Sequence, residues 1–111
     1  MTPFKTRLQR APLVAILRGV VSDEVEAIGA VLIESGFEII EVPLNSPRPF
    51  ASIEKLARTL GDAALIGAGT VLRPEQVDSV FDAGGRLIVM PHTDGTVIRR
   101  TKERGLTCIP G

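Results

Sequence analysis

The sequence predicts an α/β fold built on a parallel sheet. Short apolar segments rich in isoleucine, valine and leucine alternate with longer segments that carry most of the charges. The alternation repeats about every 20–26 residues, which is the length of one strand with its following helix. Parallel strands joined in this way form either an incomplete α/β barrel or an open flavodoxin-like sheet of five strands. The periodicity alone leaves both architectures open.

Five short apolar segments have the composition of buried strands. They are dominated by β-branched and aliphatic residues, as is typical of strands that are covered on both faces. The predicted strands cover 12–19, 37–44, 64–71, 87–91 and 107–110. A glycine precedes each strand after the first, and this glycine is predicted to end the preceding helix.

Amphipathic segments between the strands predict four helices. Their apolar residues recur on one face, and their charged residues lie on the other. The predicted helices cover 22–35, 47–60, 74–83 and 93–104. Ser22 and Ser46 are the predicted N-caps of the first two helices, and either Thr93 or Asp94 caps the last. Residues 1–11 form a polar lead-in, which can include a short helix.

Length and composition limit the possible functions. A closed eight-stranded α/β barrel needs roughly 250 residues, or about 200 in compact versions, so we expect residues 1–111 to form one incomplete domain. The formal net charge of zero and the absence of Tyr and Trp argue against a nucleic-acid partner. Cys108 is the single cysteine, which excludes an internal disulfide and a cysteine-rich metal site. No segment resembles a signal peptide or a membrane span, so we expect a cytoplasmic protein with no membrane partner.

Three polar side chains are predicted near the carboxyl ends of consecutive strands, namely Arg18, Glu41 and Thr70. The carboxyl ends of parallel strands share one rim of the sheet. Glu41 interrupts an apolar strand, where a carboxylate is costly to bury unless it is paired, hydrogen-bonded or used in chemistry. A cation, an acid and a hydroxyl on one rim can hold a small carboxylic acid and move its protons.

The same residues also have a purely structural interpretation, in which Arg18 and Glu41 form a partly buried ion pair that only fixes the rim. Gly67 and Gly69 permit a ligand to approach the backbone closely, but the segment lacks the third glycine of a dinucleotide fingerprint. His92 follows the fourth predicted strand and is a further candidate for ligand contact, although a loop histidine is more often only solvated.

Four motifs, in order along the chain, resemble those of one enzyme family. They are Ala-Ile-Leu-Arg-Gly at 15–19, Glu-Val-Pro-Leu-Asn-Ser-Pro at 41–47, Ile-Gly-Ala-Gly-Thr-Val-Leu at 66–72 and Leu-Ile-Val-Met-Pro at 87–91. With this spacing, residues 12–111 resemble the N-terminal half of the bacterial 2-keto-3-deoxy-6-phosphogluconate (KDPG) and 2-keto-3-deoxy-6-phosphogalactonate aldolases. The Pro-Leu-Asn-Ser-Pro run is similar to the galactonate branch, whereas the gluconate branch typically has Thr-Leu-Arg-Thr in that place.

The resemblance implies a (β/α)8 TIM barrel, of which this chain holds about four and a half βα units. It implies a class I aldolase without metal or cofactor, in which a lysine forms a Schiff base with the keto carbon of 2-dehydro-3-deoxy-6-phosphogalactonate. Cleavage of the C3–C4 bond then gives pyruvate and D-glyceraldehyde 3-phosphate. Position by position, the resemblance makes Glu41 the proton donor and acceptor, and Arg18 and Thr70 substrate-binding residues. It also implies a homotrimer that acts on a phosphorylated keto-deoxy sugar acid.

The family's Schiff-base lysine belongs to a sixth-strand motif, beyond Gly111, and most of its phosphate site lies in later loops. The lysines present here are Lys5, Lys55 and Lys102, and none is predicted at the carboxyl end of a strand. We therefore expect this chain alone to be inactive, as the N-terminal portion of an aldolase. The alternatives are a portion of a KDPG aldolase, a non-catalytic half-barrel that serves as a binding or interaction module, and a complete open-sheet domain that binds an organic acid.

Overall fold

The computed structural model describes residues 2–111, in which five strands alternate with five helices. The strands are β1 (Ala15–Ile16), β2 (Ile39–Pro43), β3 (Leu65–Gly69), β4 (Leu87–Val89) and β5 (Thr107–Ile109). Every predicted strand is present, although each is shorter than the apolar segment that predicted it. The remaining residues of those segments lie in the turns that lead into and out of the sheet.

The helices cover the sheet and carry most of the charges. They are α1 (Phe4–Arg10), α2 (Val25–Glu34), α3 (Pro49–Leu60), α4 (Pro74–Asp82) and α5 (Gly95–Glu103). The four predicted helices are confirmed, and the polar lead-in contains α1. Within residues 2–111, none of the helices combines the length and the apolar character that crossing a membrane requires.

The order of the strands decides between the two predicted architectures. All neighbouring strands are parallel, and the sheet runs β1-β2-β3-β4-β5, so each strand pairs with the next one along the chain. An open flavodoxin-like sheet has the order 2-1-3-4-5, because its chain reverses direction across the sheet. That alternative is wrong, and the sheet has the winding of a barrel wall.

Two separate apolar cores lie on the two faces of the sheet. Ile40 and Val42 of β2 are fully buried in the main core, between the sheet and the helices. Because side chains alternate along a strand, Ile39 points to the opposite, inner face, where it packs with Leu65 and Leu87 of the neighbouring strands. The residues of α1 that pack against this smaller core are Phe4 and Leu8. Helix α1 therefore covers the inner face at the amino ends of the strands.

Arg7 fastens α1 to this end of the sheet. Its side chain is almost completely buried, and one guanidinium nitrogen donates to Glu38 Oε1 at 3.2 Å and to the carbonyl of Ala63 at 3.0 Å. A second nitrogen lies 3.4 Å from the carbonyl of Asp62, and the exposed Arg10 adds a contact of 3.3 Å to the same Glu38 oxygen. Arg7 lies in the polar lead-in, and its structural role was not predicted from the sequence.

Ser46 does not cap a helix, which corrects the prediction. Its hydroxyl accepts a hydrogen bond of 3.1 Å from the backbone N–H of Gly19, and so joins the loop after β2 to the loop after β1. Helix α3 begins at Pro49, after Arg48 with a positive φ of 44°. The ring of a proline disfavours the right-handed helical conformation in the residue before it, so the helix cannot include Arg48 and starts at Pro49 itself.

Ser22 is not a helix cap either, whereas Asp94 is. The Ser22 hydroxyl lies 2.9 Å from the Ser52 hydroxyl, and α2 begins after Glu24 without a side-chain cap. This buried contact fixes the loop before α2 against α3. At α5, the Asp94 carboxylate accepts a hydrogen bond of 2.9 Å from the backbone N–H of Thr96, so the aspartate is the cap among the two predicted candidates.

Candidate functional site

The structure brings Arg18, Glu41 and Thr70 together around one cavity of about 330 Å³ at the carboxyl ends of the strands. Glu41 lies on β2, Arg18 follows β1 by two residues, and Thr70 directly follows β3. The remaining lining residues are Ile16, Pro43, Asn45, Val89, Met90 and Pro91. The prediction that these three polar side chains share one rim is confirmed. Asn45 and the apolar wall were not predicted as part of the site, although Asn45 follows the end of β2 as Arg18 follows β1.

Glu41 is buried on the inner face of the sheet. Only 4% of the residue is exposed, and its neighbours in register are Ile16 on β1 and Gly67 on β3. Its backbone is held firmly, because its carbonyl accepts a hydrogen bond of 3.0 Å from the N–H of Leu17. The alternation along β2 thus places an acid where an apolar side chain would otherwise face the cavity.

One oxygen of the Glu41 carboxyl group is buried without a compensating hydrogen bond from the described residues. Its Oε2 atom is buried and has no hydrogen-bond partner within residues 2–111. Desolvation by this burial raises the pKa of Glu41 from the ordinary value of 4.5 to about 7. An acid with a pKa near neutral can both give and take a proton at physiological pH, as a general acid–base catalyst must.

Arg18 does not pair with Glu41. Across residues 2–111, Arg18 takes part in none of the salt bridges, and its side chain is exposed at the rim. The alternative of an ion pair that only fixes the rim is therefore wrong. Gly19, with a positive φ of 78°, turns the chain immediately after Arg18, and the Ser46 hydroxyl holds that turn. The guanidinium group is left available for an anionic ligand.

Thr70 has a strained backbone at the point where β3 ends. Its φ of 54° lies in the left-handed region, which a β-branched residue rarely adopts. Such a conformation costs on the order of 1–3 kcal/mol and persists only where the surrounding structure enforces it. Strained residues concentrate at ligand-binding positions, so this conformation agrees with a binding role for the Thr70 hydroxyl and the adjacent backbone.

The lysines lie away from the cavity. Lys5 is on α1, Lys55 on α3 and Lys102 on α5, and none of them belongs to the cavity lining. The Lys55 ammonium group donates to the carbonyl of Ser22, in the loop before α2, at 3.1 Å. The described residues of this cavity therefore offer an acid, a cation and a hydroxyl, but no amine nucleophile.

The remaining candidates also lie outside the cavity. His92 is exposed, and its Nε2 is 4.0 Å from the Asp94 carboxylate. Cys108 packs against the main core on the helix side of β5, where burial raises the pKa of its thiol. Residues 2–111 include no cluster of three or more His, Cys, Asp or Glu side chains that could hold a metal ion.

Comparisons with known proteins agree with this geometry. A family model for KDPG and KHG aldolase matches residues 4–111. The 2-dehydro-3-deoxy-6-phosphogalactonate aldolase of Escherichia coli (strain K12) is 49% identical over 102 residues, which cover 92% of this chain and 50% of that protein. A native KDPGal structure superimposes with a TM-score of 0.90 at 49% identity, over 92% of this chain and 50% of the other. A KDPG aldolase from Legionella pneumophila, with pyruvate captured at low pH as a covalent carbinolamine intermediate, gives a TM-score of 0.87 at 26% identity, over 99% of this chain and 53% of the other.

These matches settle the fold class. The predicted partial (β/α)8 barrel is confirmed by the parallel sheet in sequential order and by its likeness to these aldolases. The chain spans about half the length of the curated relatives it matches. The chain belongs to the KDPG and KHG aldolase family, and it corresponds to the N-terminal half of that family.

Proposed function

We propose that this chain supplies the acid–base half of a class I aldolase site. The complete site would cleave 2-dehydro-3-deoxy-6-phosphogalactonate to pyruvate and D-glyceraldehyde 3-phosphate. One observation carries the proposal: Glu41 is a buried carboxyl group whose Oε2 has no hydrogen-bond partner among residues 2–111, in a cavity that it shares with Arg18 and Thr70. The names of the relatives support the reaction class, and a lysine from outside these residues would be the nucleophile.

In this proposal Glu41 carries each proton of the reaction. After the lysine amine adds to the keto carbon, protonated Glu41 gives its proton to the carbinolamine hydroxyl, which leaves as water and produces the Schiff base. The resulting carboxylate takes the proton of the C4 hydroxyl as the C3–C4 bond breaks and its electron pair moves to the iminium nitrogen. Glu41 then returns that proton to C3 of the enamine. Its carboxylate regains a proton from the water that hydrolyses the resulting pyruvate Schiff base, which releases pyruvate and the lysine amine. A pKa of about 7 makes both protonation states accessible in one cycle.

Arg18 and Thr70 would hold the substrate during these transfers. The Arg18 guanidinium group can donate two parallel hydrogen bonds to a carboxylate. Thr70 would bind the same end of the substrate through its hydroxyl and through the backbone that its strained conformation exposes. Both groups lie on the rim that Glu41 faces, so a substrate fixed by them would place its reacting carbons over the acid.

A hybrid barrel provides the test. In it, this chain is joined to the part of the Escherichia coli relative that the chain does not span. Sodium borohydride with pyruvate should trap a covalent adduct on the hybrid barrel, because borohydride reduces a Schiff base to a stable amine. We expect no adduct on the 111-residue chain alone. An adduct on Lys5, Lys55 or Lys102 of this chain, or a folded hybrid that cleaves no substrate, would contradict the proposal.

The galactonate substrate is preferred over its gluconate epimer for two reasons. The segment 43–47 has the Pro-Leu-Asn-Ser-Pro run of the galactonate branch, and identity to a galactonate aldolase is 49%, against 26% to a KHG/KDPG aldolase of the same organism. The hybrid barrel should therefore cleave the phosphogalactonate with the higher kcat/KM. A preference for the phosphogluconate would reassign the substrate while leaving the chemistry unchanged.

The domain and its assembly are also part of the proposal. Residues 1–111 would form one incomplete domain, and the complete enzyme would be a homotrimer. Light scattering of the hybrid barrel should give three times the mass of one hybrid chain. A monodisperse, fully active monomer would contradict the proposed homotrimer.

A further inference from the structure

Gly69 is the last residue of β3, and its backbone does not explain why a glycine stands there. It pairs in register with Pro43 and has the extended conformation of a strand, without the positive φ found at glycines such as Gly19. Any L-residue can adopt that conformation. A glycine inside a strand weakens the strand, because it adds conformational entropy to the unfolded chain and offers no side chain to pack. Gly69 therefore has a cost that some other feature must offset.

The space around Gly69 supplies the reason. A Cβ atom built on this residue would overlap the Glu41 carboxyl group, and its three nearest neighbours would be Oε2, Cδ and Oε1 of that group. Gly67, on the same strand, differs because a Cβ there would meet the main chain of Leu87. Gly67 thus permits two strands to approach, whereas Gly69 makes room for one carboxyl group.

We propose that Gly69 is a positioning residue that holds the Glu41 carboxyl group against β3, in the buried end of the cavity. The significance of this role for catalysis rests on the proposed function of Glu41, but the placement itself does not. The side chain of Glu41 leans along its strand over Gly69, which lies two residues beyond its register partner Gly67. Arg18 is the one other charged residue that lines the described cavity.

A Cβ at position 69 would therefore move the carboxyl group outward, because the backbone of β3 and the smaller, inner core close the other directions. The displaced group would enter the open part of the cavity, nearer to solvent and to Arg18. Water and a positive charge both favour the ionised form of a carboxyl group, so Gly69→Ala should make Glu41 ionise at lower pH. A residue that merely supported the strand would change stability without changing this pH dependence.

The test measures unfolding of the 111-residue chain by denaturant between pH 4.5 and pH 8. In the wild type, ionisation of Glu41 should raise the unfolding equilibrium constant by up to about 140-fold between pH 4.5 and pH 8, because its pKa is about 7 in the folded chain and 4.5 in the unfolded chain. In Gly69→Ala the unfolding equilibrium constant should increase by less than about tenfold over the same pH interval. Each rise is measured relative to the same variant with Glu41→Gln, which removes the contribution of all other groups.

Ala68→Gly is the matched control, because Ala68 is fully buried on the helix side of the same strand. It should destabilise the chain equally at every pH and leave the pH dependence of the wild type unchanged. If Gly69→Ala does not fold, the double variant Gly69→Ala/Glu41→Ala should fold again, because the obstructing carboxyl group is gone.

Two results would overturn the inference. One is a Gly69→Ala chain that keeps the pH dependence of the wild type. The other is a double variant that unfolds as readily as the single one. Neither result depends on turnover, so failure of this inference is distinguishable from failure of the proposed function, which the adduct and the kinetics of the hybrid barrel test.

Discussion

Two acidic residues that lie close together in the sequence, Glu38 and Glu41, have opposite environments. Glu38 immediately precedes β2, and its carboxylate contacts Arg7 at 3.2 Å and Arg10 at 3.3 Å. Glu41 lies three residues further on, is more deeply buried, and its Oε2 has no partner within residues 2–111. The first carboxylate anchors α1 at the amino end of the sheet, and the second faces the cavity at the carboxyl end. The comparison indicates that this chain pairs the partly buried Glu38 where it stabilises the fold, and that within residues 2–111 the more deeply buried Glu41 is left unpaired.

The comparison assigns stability to the amino end of the sheet and, under the proposed function, chemistry to the carboxyl end, a division that is usual in α/β barrels. Substitution of Arg7 or Glu38 should therefore lower the free energy of unfolding, whereas substitution of Glu41 should lower the turnover of the hybrid barrel.

The largest expected effect is on turnover in the hybrid barrel. Glu41→Gln keeps the shape of the side chain but cannot carry a proton, so kcat should fall by about 10²–10⁴-fold, with a smaller change in KM. Glu38→Gln should leave kcat within about threefold of the wild type, because Glu38 lies at the opposite end of the sheet from the cavity. Steady-state kinetics of the two variants provide the measurement. Equal losses of kcat in both would contradict the assignment of different roles to Glu38 and Glu41.

The same pair of variants should change the stability of the chain in opposite directions at pH 8. Between pH 4.5 and about 7, folded Glu41 retains a proton that the unfolded chain has released, so stability falls as pH rises and then levels off. Glu41→Gln removes this loss, and it should stabilise the chain at pH 8 by up to about 3 kcal/mol relative to its effect at pH 4.5.

Glu38→Gln removes one charge from a paired cluster and should destabilise the chain at pH 8 by about 1 kcal/mol. Denaturant unfolding at the two pH values measures both effects. A Glu41→Gln variant whose gain in stability is the same at pH 4.5 and pH 8 would mean that Glu41 titrates as an ordinary carboxyl group.

Arg7 should matter more to folding than its exposed neighbour. Arg7→Met leaves the carbonyls of Asp62 and Ala63 without this donor, and we expect a loss of about 2 kcal/mol in the free energy of unfolding. Arg10 is exposed and contacts the same Glu38 oxygen as Arg7. Arg10→Met should therefore change the free energy of unfolding by less than about 0.5 kcal/mol. A calorimetric scan of both variants provides the measurement, and equal shifts in Tm would show that burial of Arg7 contributes nothing.

The smallest effect is expected from the strained backbone at Thr70. In an ordinary strand, glycine is less stable than alanine by roughly 0.5–1 kcal/mol. Because Thr70 has a φ of 54°, the order should reverse here, and Thr70→Gly should be more stable than Thr70→Ala by about 1 kcal/mol. Unfolding curves of the two variants test this reversal, and the ordinary order would indicate that the backbone relaxes at no cost.

Much of the fold follows from local patterns in the sequence. The repeated alternation of apolar and amphipathic segments predicted every strand and the four helices between them, because each strand and helix face must be buried. The helix starts at Ser22 and Ser46 were wrong, since the hydroxyls bond instead to Ser52 and to the N–H of Gly19, which are distant in sequence. Local capping rules cannot anticipate such long-range partners.

The candidate site was only partly predictable. Glu41 is conspicuous because it interrupts an apolar strand, and parallel strand ends placed Arg18 and Thr70 beside it. The absence of an Arg18–Glu41 pair and the contact between Glu41 and Gly69 depend on strand register and side-chain direction, which composition does not encode. The role of Arg7 was missed for a similar reason, since its partner Glu38 is 31 residues away.

The most direct test of the central claim is the titration of the Glu41 carboxyl group itself. Carbon-13 NMR of the chain labelled at its glutamate carboxyl carbons, with Glu41→Gln to assign the signal, reports the protonation of this one group. We expect a midpoint at a pH of about 7. A midpoint near the ordinary value of 4.5 would show that the carboxyl group is solvated or paired, and it would contradict the account of Glu41 as a buried proton carrier.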